Sequence, residues 1–159
     1  MHEHKEWYTG SNRSVCFDEI KQTICKYVDQ GGKIYIGSDS FISRNKVSFA
    51  STICLYGPPL ASRYFFFKES TKLDHFINLI SRISEEAKRS VEIAETLINT
   101  TDLSAQNIEL HLDISACNKN NGTSRFSEML TGYVLGYGLD CKIKPNAWAG
   151  QTIADKHSK

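Results

Sequence analysis

The stretch that decides the fold is Lys33-Ile34-Tyr35-Ile36-Gly37-Ser38-Asp39-Ser40. Its β-branched and aromatic residues are typical of a buried strand, and an acid stands where the apolar run ends. A later stretch repeats this arrangement, because residues 108–114 are largely apolar and end in His111-Leu112-Asp113-Ile114. We therefore predict that Asp39 and Asp113 lie near the ends of two strands of one sheet.

The elements around these strands predict a mixed sheet. Short joins and apolar alternation predict an antiparallel meander of three strands, at residues 33–40, 47–56 and 63–68. Helical spacing of apolar residues then predicts helices, at residues 20–28, 71–99, 123–137 and 151–159. Further strands are predicted at residues 108–114 and 141–144. The fold class is therefore α/β, with a five-stranded sheet (three antiparallel strands, then two parallel ones) flanked by helices on both faces.

Length and composition fit a single domain over residues 1–159, with residues 1–14 forming a loose arm. No apolar stretch is long enough to span a membrane. The polar N-terminus does not resemble a signal peptide, and the five cysteines form no close pairs, so we expect a cytoplasmic protein with reduced thiols. The net charge of +1 gives no overall attraction to nucleic acid, so any such contact must come from a local basic patch.

The two strand-end acids suggest a metal site. If their strands are parallel neighbours, Asp39 and Asp113 come within a few ångströms, near the point where the strand order reverses. Like charges that close are unfavourable unless a cation lies between them. Mg²⁺ or Mn²⁺ is the natural cation, because hard ions take carboxylate oxygens. Two such ions can activate a water and stabilise the leaving oxygen in phosphodiester cleavage.

The chain resembles the YkuK-type family of ribonuclease H-like proteins from about residue 33 to its end. The resemblance rests on the order and spacing of several stretches: Ile36-Gly37-Ser38-Asp39-Ser40, Arg82-Ile83-Ser84-Glu85-Glu86, His111-Leu112-Asp113-Ile114, Ile143-Lys144-Pro145 and Ala154-Asp155-Lys156-His157-Ser158-Lys159. It implies an acidic triad or tetrad that binds divalent metal, and nuclease or related phosphoryl-transfer chemistry.

The resemblance also implies which acids form the site. Asp39 matches the acid of the first strand, Asp113 that of the fourth, and Asp155 the acid that begins the C-terminal helix. For the acid of the first long helix, ribonucleases H favour the first turn, where Asp74 stands with Thr71 as the predicted cap, whereas the YkuK-type family favours Glu86. Glu95 is the third candidate, after Glu86 and Asp74.

Several other residues have both a structural and a functional interpretation. His111 fits a hydrogen-bonded core histidine better than a ligand, and His157 fits a proton-transfer group less well than a surface residue. Lys144 and Lys156 could meet phosphates or simply face solvent. The helix start at Gly122-Thr123-Ser124 could hold a phosphate or be an ordinary cap.

Two hypotheses of different classes follow. The first is a nuclease that depends on Mg²⁺ or Mn²⁺ and hydrolyses a nucleic-acid backbone, with DNA and RNA both open as substrates. The second is a catalytically inactive ribonuclease H-like module that binds nucleic acid or a protein partner. A phosphatase or nucleotidase acting on small substrates with the same metals is a third possibility.

Overall fold

The protein is described by a computed structural model over residues 5–114 and 126–158, apart from the side chains at positions 151, 152 and 155. Seven strands form one sheet: β1 (Trp7–Thr9), β2 (Ser14–Val15), β3 (Lys33–Ser43), β4 (Lys46–Tyr56), β5 (Arg63–Lys72), β6 (Ile108–His111) and β7 (Asp140–Lys142). The helices are α1 (Phe17–Asp29), α2 (Leu79–Thr100), α3 (Ser127–Leu135) and α4 (Asp155–Ser158), with a 3₁₀ turn at Ala105–Asn107 and a π-helical segment at Ala149–Ala154.

The sheet has the order β2-β1-β5-β4-β3-β6-β7. β3, β4 and β5 form the predicted antiparallel meander, and β6 and β7 run parallel to β3. The predicted α/β class, with a mixed sheet and helices on both faces, is confirmed. The predicted count of five strands is wrong, because β1 and β2 add to the free edge of β5.

Residues 7–9 and 14–15 form strands, whereas we expected a loose arm over residues 1–14. Tyr8 and Thr9 pair with Phe66 and Phe65 of β5, and the side chain of Trp7 is fully buried. The ring of Trp7 packs 4.6 Å from that of Phe67. Burial of so large an aromatic surface contributes more than the entropy that a short polar arm would keep.

One face of the sheet carries the main core. Apolar residues of β3, β4 and β5 pack there against α1, α2 and α3, and the largest members include Ile34, Ile36, Ile53, Phe65 and Phe67. Each fully buried side chain of this kind contributes about 1.5–3 kcal/mol. α1 ends where predicted, since Gly31 has a φ of 98° and the N–H of Gly32 donates to the carbonyl of Tyr27.

The start of α2 was predicted wrongly. Thr71 and Asp74 satisfy the pattern of a helix cap, yet β5 continues to Lys72 and α2 begins at Leu79. The polar end of β5 pairs with the start of β4, where Thr71 lies opposite Val47. Backbone pairing with a neighbouring strand therefore prevails over a local capping signal.

The other face of the sheet is covered by the C-terminal elements. The π-helical segment and α4 pack against β3 and β4. None of the helices in residues 5–114 and 126–158 is long and apolar enough to cross a membrane. The cysteines in the same part of the chain, Cys16, Cys25, Cys54 and Cys141, are free thiols.

Candidate acidic site

Asp39 and Asp113 occupy corresponding positions on neighbouring parallel strands. The prediction that Asp39 ends its strand is wrong, because β3 continues to Ser43 through its pairing with β4. In the ladder between β3 and β6, Gly37 lies opposite His111. Continuing this register by two residues places Asp113 opposite Asp39, just beyond the end of β6. The sheet therefore brings together the pair of acids that the sequence analysis singled out.

Asp39 lies under the C-terminal helix. Its side chain is only 7% exposed, and the hydroxyl of Ser158 lies 3.3 Å from its Oδ2 atom, to which it donates a hydrogen bond. Ser158 is the last residue of α4, so this contact joins residues that are 119 positions apart in the chain. The position of α4 thus decides how much solvent reaches Asp39.

Glu86 approaches the acids from α2. It is 9% exposed, and the hydroxyl of Ser40 donates to its Oε2 atom at 2.5 Å. Burial raises the pKa of Glu86 well above its ordinary value, and the charges of Asp39 and Asp113 raise it further, against the opposing hydrogen bond from Ser40. The three carboxyl groups therefore act on one another electrostatically.

α2 is held close to β3 by a buried chain of hydroxyl groups. The hydroxyl of Ser38 lies 2.9 Å from those of both Ser51 and Ser90. Small side chains let the helix approach the sheet, and the three buried hydroxyls satisfy one another's hydrogen-bonding capacity. Because Ser90 lies one turn beyond Glu86 on α2, this contact fixes the helix at the height of the acids.

Asp113 has a cation beside it. The ammonium of Lys144 lies 2.8 Å from its Oδ1 atom and forms an ion pair with it. The angle does not suit a hydrogen bond, and among the described residues this buried oxygen has no hydrogen-bond partner. The carboxylate is thus balanced in charge while one oxygen keeps a free lone pair. Buried polar atoms without a partner are rare and often mark a position that a ligand or water completes.

The π-helical segment closes the site on the side of Asp113. A methyl group added at Gly37 would lie 2.3 Å from the backbone nitrogen of Gly150, so only glycine permits this approach. The Nδ1 atom of His111 accepts hydrogen bonds from the N–H groups of Trp148 and Ala149, at 3.0 and 3.1 Å. Burial, with smaller contributions from Lys33 and Lys142, lowers the pKa of His111 to about 4, so the ring is neutral and serves as an acceptor.

Two other acids that the sequence suggested for the helix position lie elsewhere. Asp74 is exposed and precedes α2, in a cavity with Lys46, Lys72 and His75. Glu95 is on α2 but faces a different cavity, which Tyr133 and Tyr137 also line. Glu86 is therefore the helix acid whose charge interacts with those of Asp39 and Asp113.

The remaining candidate residues are placed as follows. Asp155 begins α4, the helix that carries Ser158, and its side chain lies outside the described part. His157 stacks on the ring of Phe66, with centroids 3.6 Å apart, and its Nε2 atom lies 3.0 Å from the hydroxyl of Tyr64, so it packs against the sheet. Lys156 is exposed. Gly122-Thr123-Ser124 also lies outside the described residues.

Sequence reasoning missed the partners of the acids. Ser40 and Ser158 each donate to a carboxylate, and Lys144, interpreted as a phosphate contact or a surface residue, pairs with Asp113. Ser40 could have been suspected, because it follows Asp39 directly. The contact of Ser158 with Asp39 has no local signal, since it depends on the fold of the whole C-terminus.

The donor set fits a hard divalent cation. All three side chains offer carboxylate oxygens, which Mg²⁺ and Mn²⁺ prefer. The Oδ1 atom of Asp113 accepts no hydrogen bond among the described residues, although the ammonium of Lys144 lies beside it. Among the described residues, no three His, Cys, Asp or Glu side chains are yet close enough together to hold a metal ion. Coordination would therefore require the carboxylates to move closer together.

The mixed sheet, the acids on its neighbouring parallel strands and its helical cover define the class of fold as ribonuclease H-like. The ribonuclease H-like family matches residues 15–159, and the chain belongs to this family, of the YkuK type. A search of curated proteins found no match. Membership makes the chain a nuclease-like or nucleic-acid-related module, and proteins of this fold usually use divalent metals.

Proposed function

We propose that this protein is a divalent-metal-dependent nuclease that hydrolyses phosphodiester bonds of nucleic acid. One observation carries the proposal: the register of β3 and β6 sets Asp39 opposite Asp113, and both acids raise the pKa of the buried Glu86. A protein that only bound phosphate would gain nothing from carboxylates facing its ligand, because the charges repel. Acids concentrated at one place favour a cation and the chemistry that it allows.

Mg²⁺ or Mn²⁺ would be held by Asp39, Glu86 and Asp113, with Asp155 as the fourth acid. When bound, such an ion supplies the positive charge that makes water a better nucleophile and stabilises the leaving oxygen. The cation would also replace the repulsion among the carboxylates by attraction, which removes two of the causes that raise the pKa of Glu86.

The other side chains of the site would position these acids. Ser40 holds Glu86, and Ser158 holds Asp39 through α4. Lys144 balances the charge of Asp113 until a cation binds, after which its ammonium would be free to meet a phosphate of the substrate. The scissile phosphodiester would approach from the hairpin side of α4, where Ser158 lines an open cavity.

The test is cleavage of labelled single-stranded and duplex DNA and RNA with Mg²⁺, with Mn²⁺, and with EDTA. We expect metal-dependent cleavage that falls at least about 100-fold in Asp39→Asn and in Asp113→Asn, because each removes a ligand charge worth several kcal/mol. Asp74→Asn is the matched control, since it removes an equal charge from an exposed acid outside the site. Undiminished cleavage by the double variant Asp39→Asn/Asp113→Asn would refute the proposal.

A catalytically inactive module that binds nucleic acid or a protein partner is the second candidate. It is favoured by one observation, that each acid already has a partner within the protein, in Ser158, Ser40 and Lys144. The two candidates differ in thermal unfolding, because a ligand that binds the folded state raises the midpoint. A midpoint that does not respond to millimolar Mn²⁺ would favour the inactive module.

A further inference from the structure

A groove of about 600 Å³ opens beside the acidic site, at the free end of the β3–β4 hairpin. We call it the hairpin groove. Its lining includes Ser158, which donates a hydrogen bond to Asp39, so the groove is continuous with the site. The residues that characterise it are Phe41, Arg44, Lys46, Ser48, Lys68 and Ser70.

The floor of the hairpin groove is the face of the sheet that carries Asp39. Side chains alternate along a strand, so Asp39 and Phe41 point to the same face of β3. Across the sheet, Phe41 lies opposite Ser48, and Ser48 lies opposite Ser70 of β5. The acid and the lining of the groove therefore form adjoining rows on one face.

The register of the sheet also places a lysine directly across from Asp39, two strands away. Asp39 pairs with Ala50, and Ala50 pairs with Lys68. Because neighbouring strands are about 4.8 Å apart, the backbone of Lys68 lies about 10 Å from that of Asp39. An anionic chain that reached the acids across the sheet would pass this lysine.

The charge of the groove has one sign. Arg44, Lys46 and Lys68 line it, and no Asp or Glu among the described residues does so. Within the same part of the chain, Arg44 and Lys46 take part in no salt bridge with an acid. Since the net charge of the chain is only +1, this local excess is a strong feature of the surface.

Arg44 stands at a position that favours other residues. Its φ is 58°, in the left-handed region, where glycine or asparagine is less strained. An arginine there extends a guanidinium from the tip of the hairpin over the groove. Strained positions of this kind are often kept at sites of binding.

The groove also offers an aromatic ring. Phe41 is 39% exposed, although it lies within β3 and pairs with Ser48 of β4. The hydroxyls of Ser48 and Ser70, 3.0 Å apart, lie across from it. Cations and hydroxyls bind phosphate oxygens, whereas an exposed ring stacks on a base that is not paired within a duplex.

We propose that the hairpin groove binds single-stranded nucleic acid, with phosphates on Arg44, Lys46 and Lys68 and a base stacked on Phe41. This inference rests on the proposed nuclease function, and it names the class of substrate that reaches the acids. A duplex is disfavoured because its bases are already stacked on one another and cannot reach the ring.

The test is fluorescence anisotropy in EDTA with oligothymidylate and oligouridylate of about 15 nucleotides, and with duplex DNA, at several salt concentrations. Log K falls as log salt rises, and we expect Lys46→Gln/Lys68→Gln to make this slope less steep by about 1.4, which is about 0.7 for each lost phosphate contact. Lys26→Gln is the matched control for charge, since Lys26 is exposed on α1, on the other face of the sheet.

Two further variants separate binding from folding. Phe41→Leu should weaken binding roughly 5- to 100-fold by loss of stacking, whereas Tyr137→Leu, at an exposed ring after α3, should not. Arg44→Gly should weaken binding while the protein remains at least as stable, because glycine relieves the backbone strain. A variant that merely unfolded would lose both properties together.

The outcomes distinguish this inference from the nuclease proposal. A protein that binds single strands through the groove and never cleaves would refute the nuclease proposal alone. Unchanged affinity and salt slope in Lys46→Gln/Lys68→Gln, or tighter binding of duplex than of single strands, would overturn the groove. So would cleavage whose KM is the same in the wild type and in that variant.

Discussion

Substitution of Gly37 by alanine should push the C-terminal segment away from the sheet and destabilise the protein. The added methyl carbon would lie 2.3 Å from the nitrogen of Gly150 and 2.6 Å from the carbonyl carbon of Ala149, where ordinary contacts begin at 3.4 Å. Both atoms belong to the backbone, so no side-chain rotation can relieve the overlap. The π-helical segment must therefore move about 1 Å away from β3.

The expected loss of stability combines two effects. Overpacking of this kind costs about 1–3 kcal/mol. The same movement strains the two hydrogen bonds that Trp148 and Ala149, at the start of this segment, donate to His111, each worth about 0.5–1.5 kcal/mol. We therefore expect Gly37→Ala to lower the free energy of unfolding by about 2–6 kcal/mol, measured by urea denaturation with circular dichroism.

Gly132→Ala is the matched control, because it adds the same methyl group to a glycine of α3 that has nothing within 4 Å of the new atom. It should raise the stability by about 0.5–1 kcal/mol, the usual preference of a helix for alanine. If Gly37→Ala proved as stable as the wild type, or more stable than Gly132→Ala, the close packing of the C-terminal segment on β3 would be wrong.

Three further predictions concern buried groups. Since the pKa of His111 falls from 6.5 to about 4, the stabilisation by its neutral ring is complete above pH 6.5 and is lost as the pH falls toward 4. The reference is His111→Asn, which keeps a hydrogen-bond acceptor but does not titrate. Relative to it, the wild type should lose about 2 kcal/mol of unfolding free energy between about pH 7.5 and pH 5, and parallel pH profiles would contradict this. Because burial raises the pKa of Glu86 in the folded protein, the wild type loses stability as the pH rises above 4.5. Glu86→Gln without metal should therefore raise the free energy of unfolding at about pH 7.5, and a decrease would count against the buried carboxyl. Trp7→Ala should cost about 3–5 kcal/mol in the same assay, whereas a loss below about 1 kcal/mol would show that the N-terminal strand is the loose arm that its sequence suggests.

Much of the sheet could be predicted from the sequence because β3 and β4 combine strong β-formers with short connections. The end of β5 could not, since Glu69, Ser70 and Lys72 have no apolar alternation and are strand residues only through their pairing with β4. β1 and β2 are too short to have a pattern of their own, and they form because β5 presents an open edge. Elements defined by distant partners thus escape local analysis.

The acids of the candidate site divide in the same way. Asp39 and Asp113 could be paired in advance, because each follows a similar apolar run and the two runs form neighbouring parallel strands. Glu86 could be chosen over Asp74 only through the family resemblance. The sequence itself favoured Asp74, because the capping pattern at Thr71 predicted a helix whose first turn contains Asp74. The structure separates them by where α2 begins.

The surroundings of the acids depend on packing that no spacing encodes. Ser158 meets Asp39 because the π-helical segment turns the chain back over β3, through the contact between Gly37 and Gly150. The hairpin groove also arises from pairing, since residues of three strands meet only in the register of the sheet. Its cations are dispersed along the sequence and show no basic run.

Calorimetric titration of Mn²⁺ into the wild type, Asp39→Asn and Asp74→Asn tests the central claim most directly. The account predicts binding by the wild type and by Asp74→Asn, and its loss in Asp39→Asn, because Asp39 lies opposite Asp113 in the register of β3 and β6 whereas Asp74 lies in a different cavity. Equal binding by Asp39→Asn and the wild type, or no binding by any of the three, would contradict it.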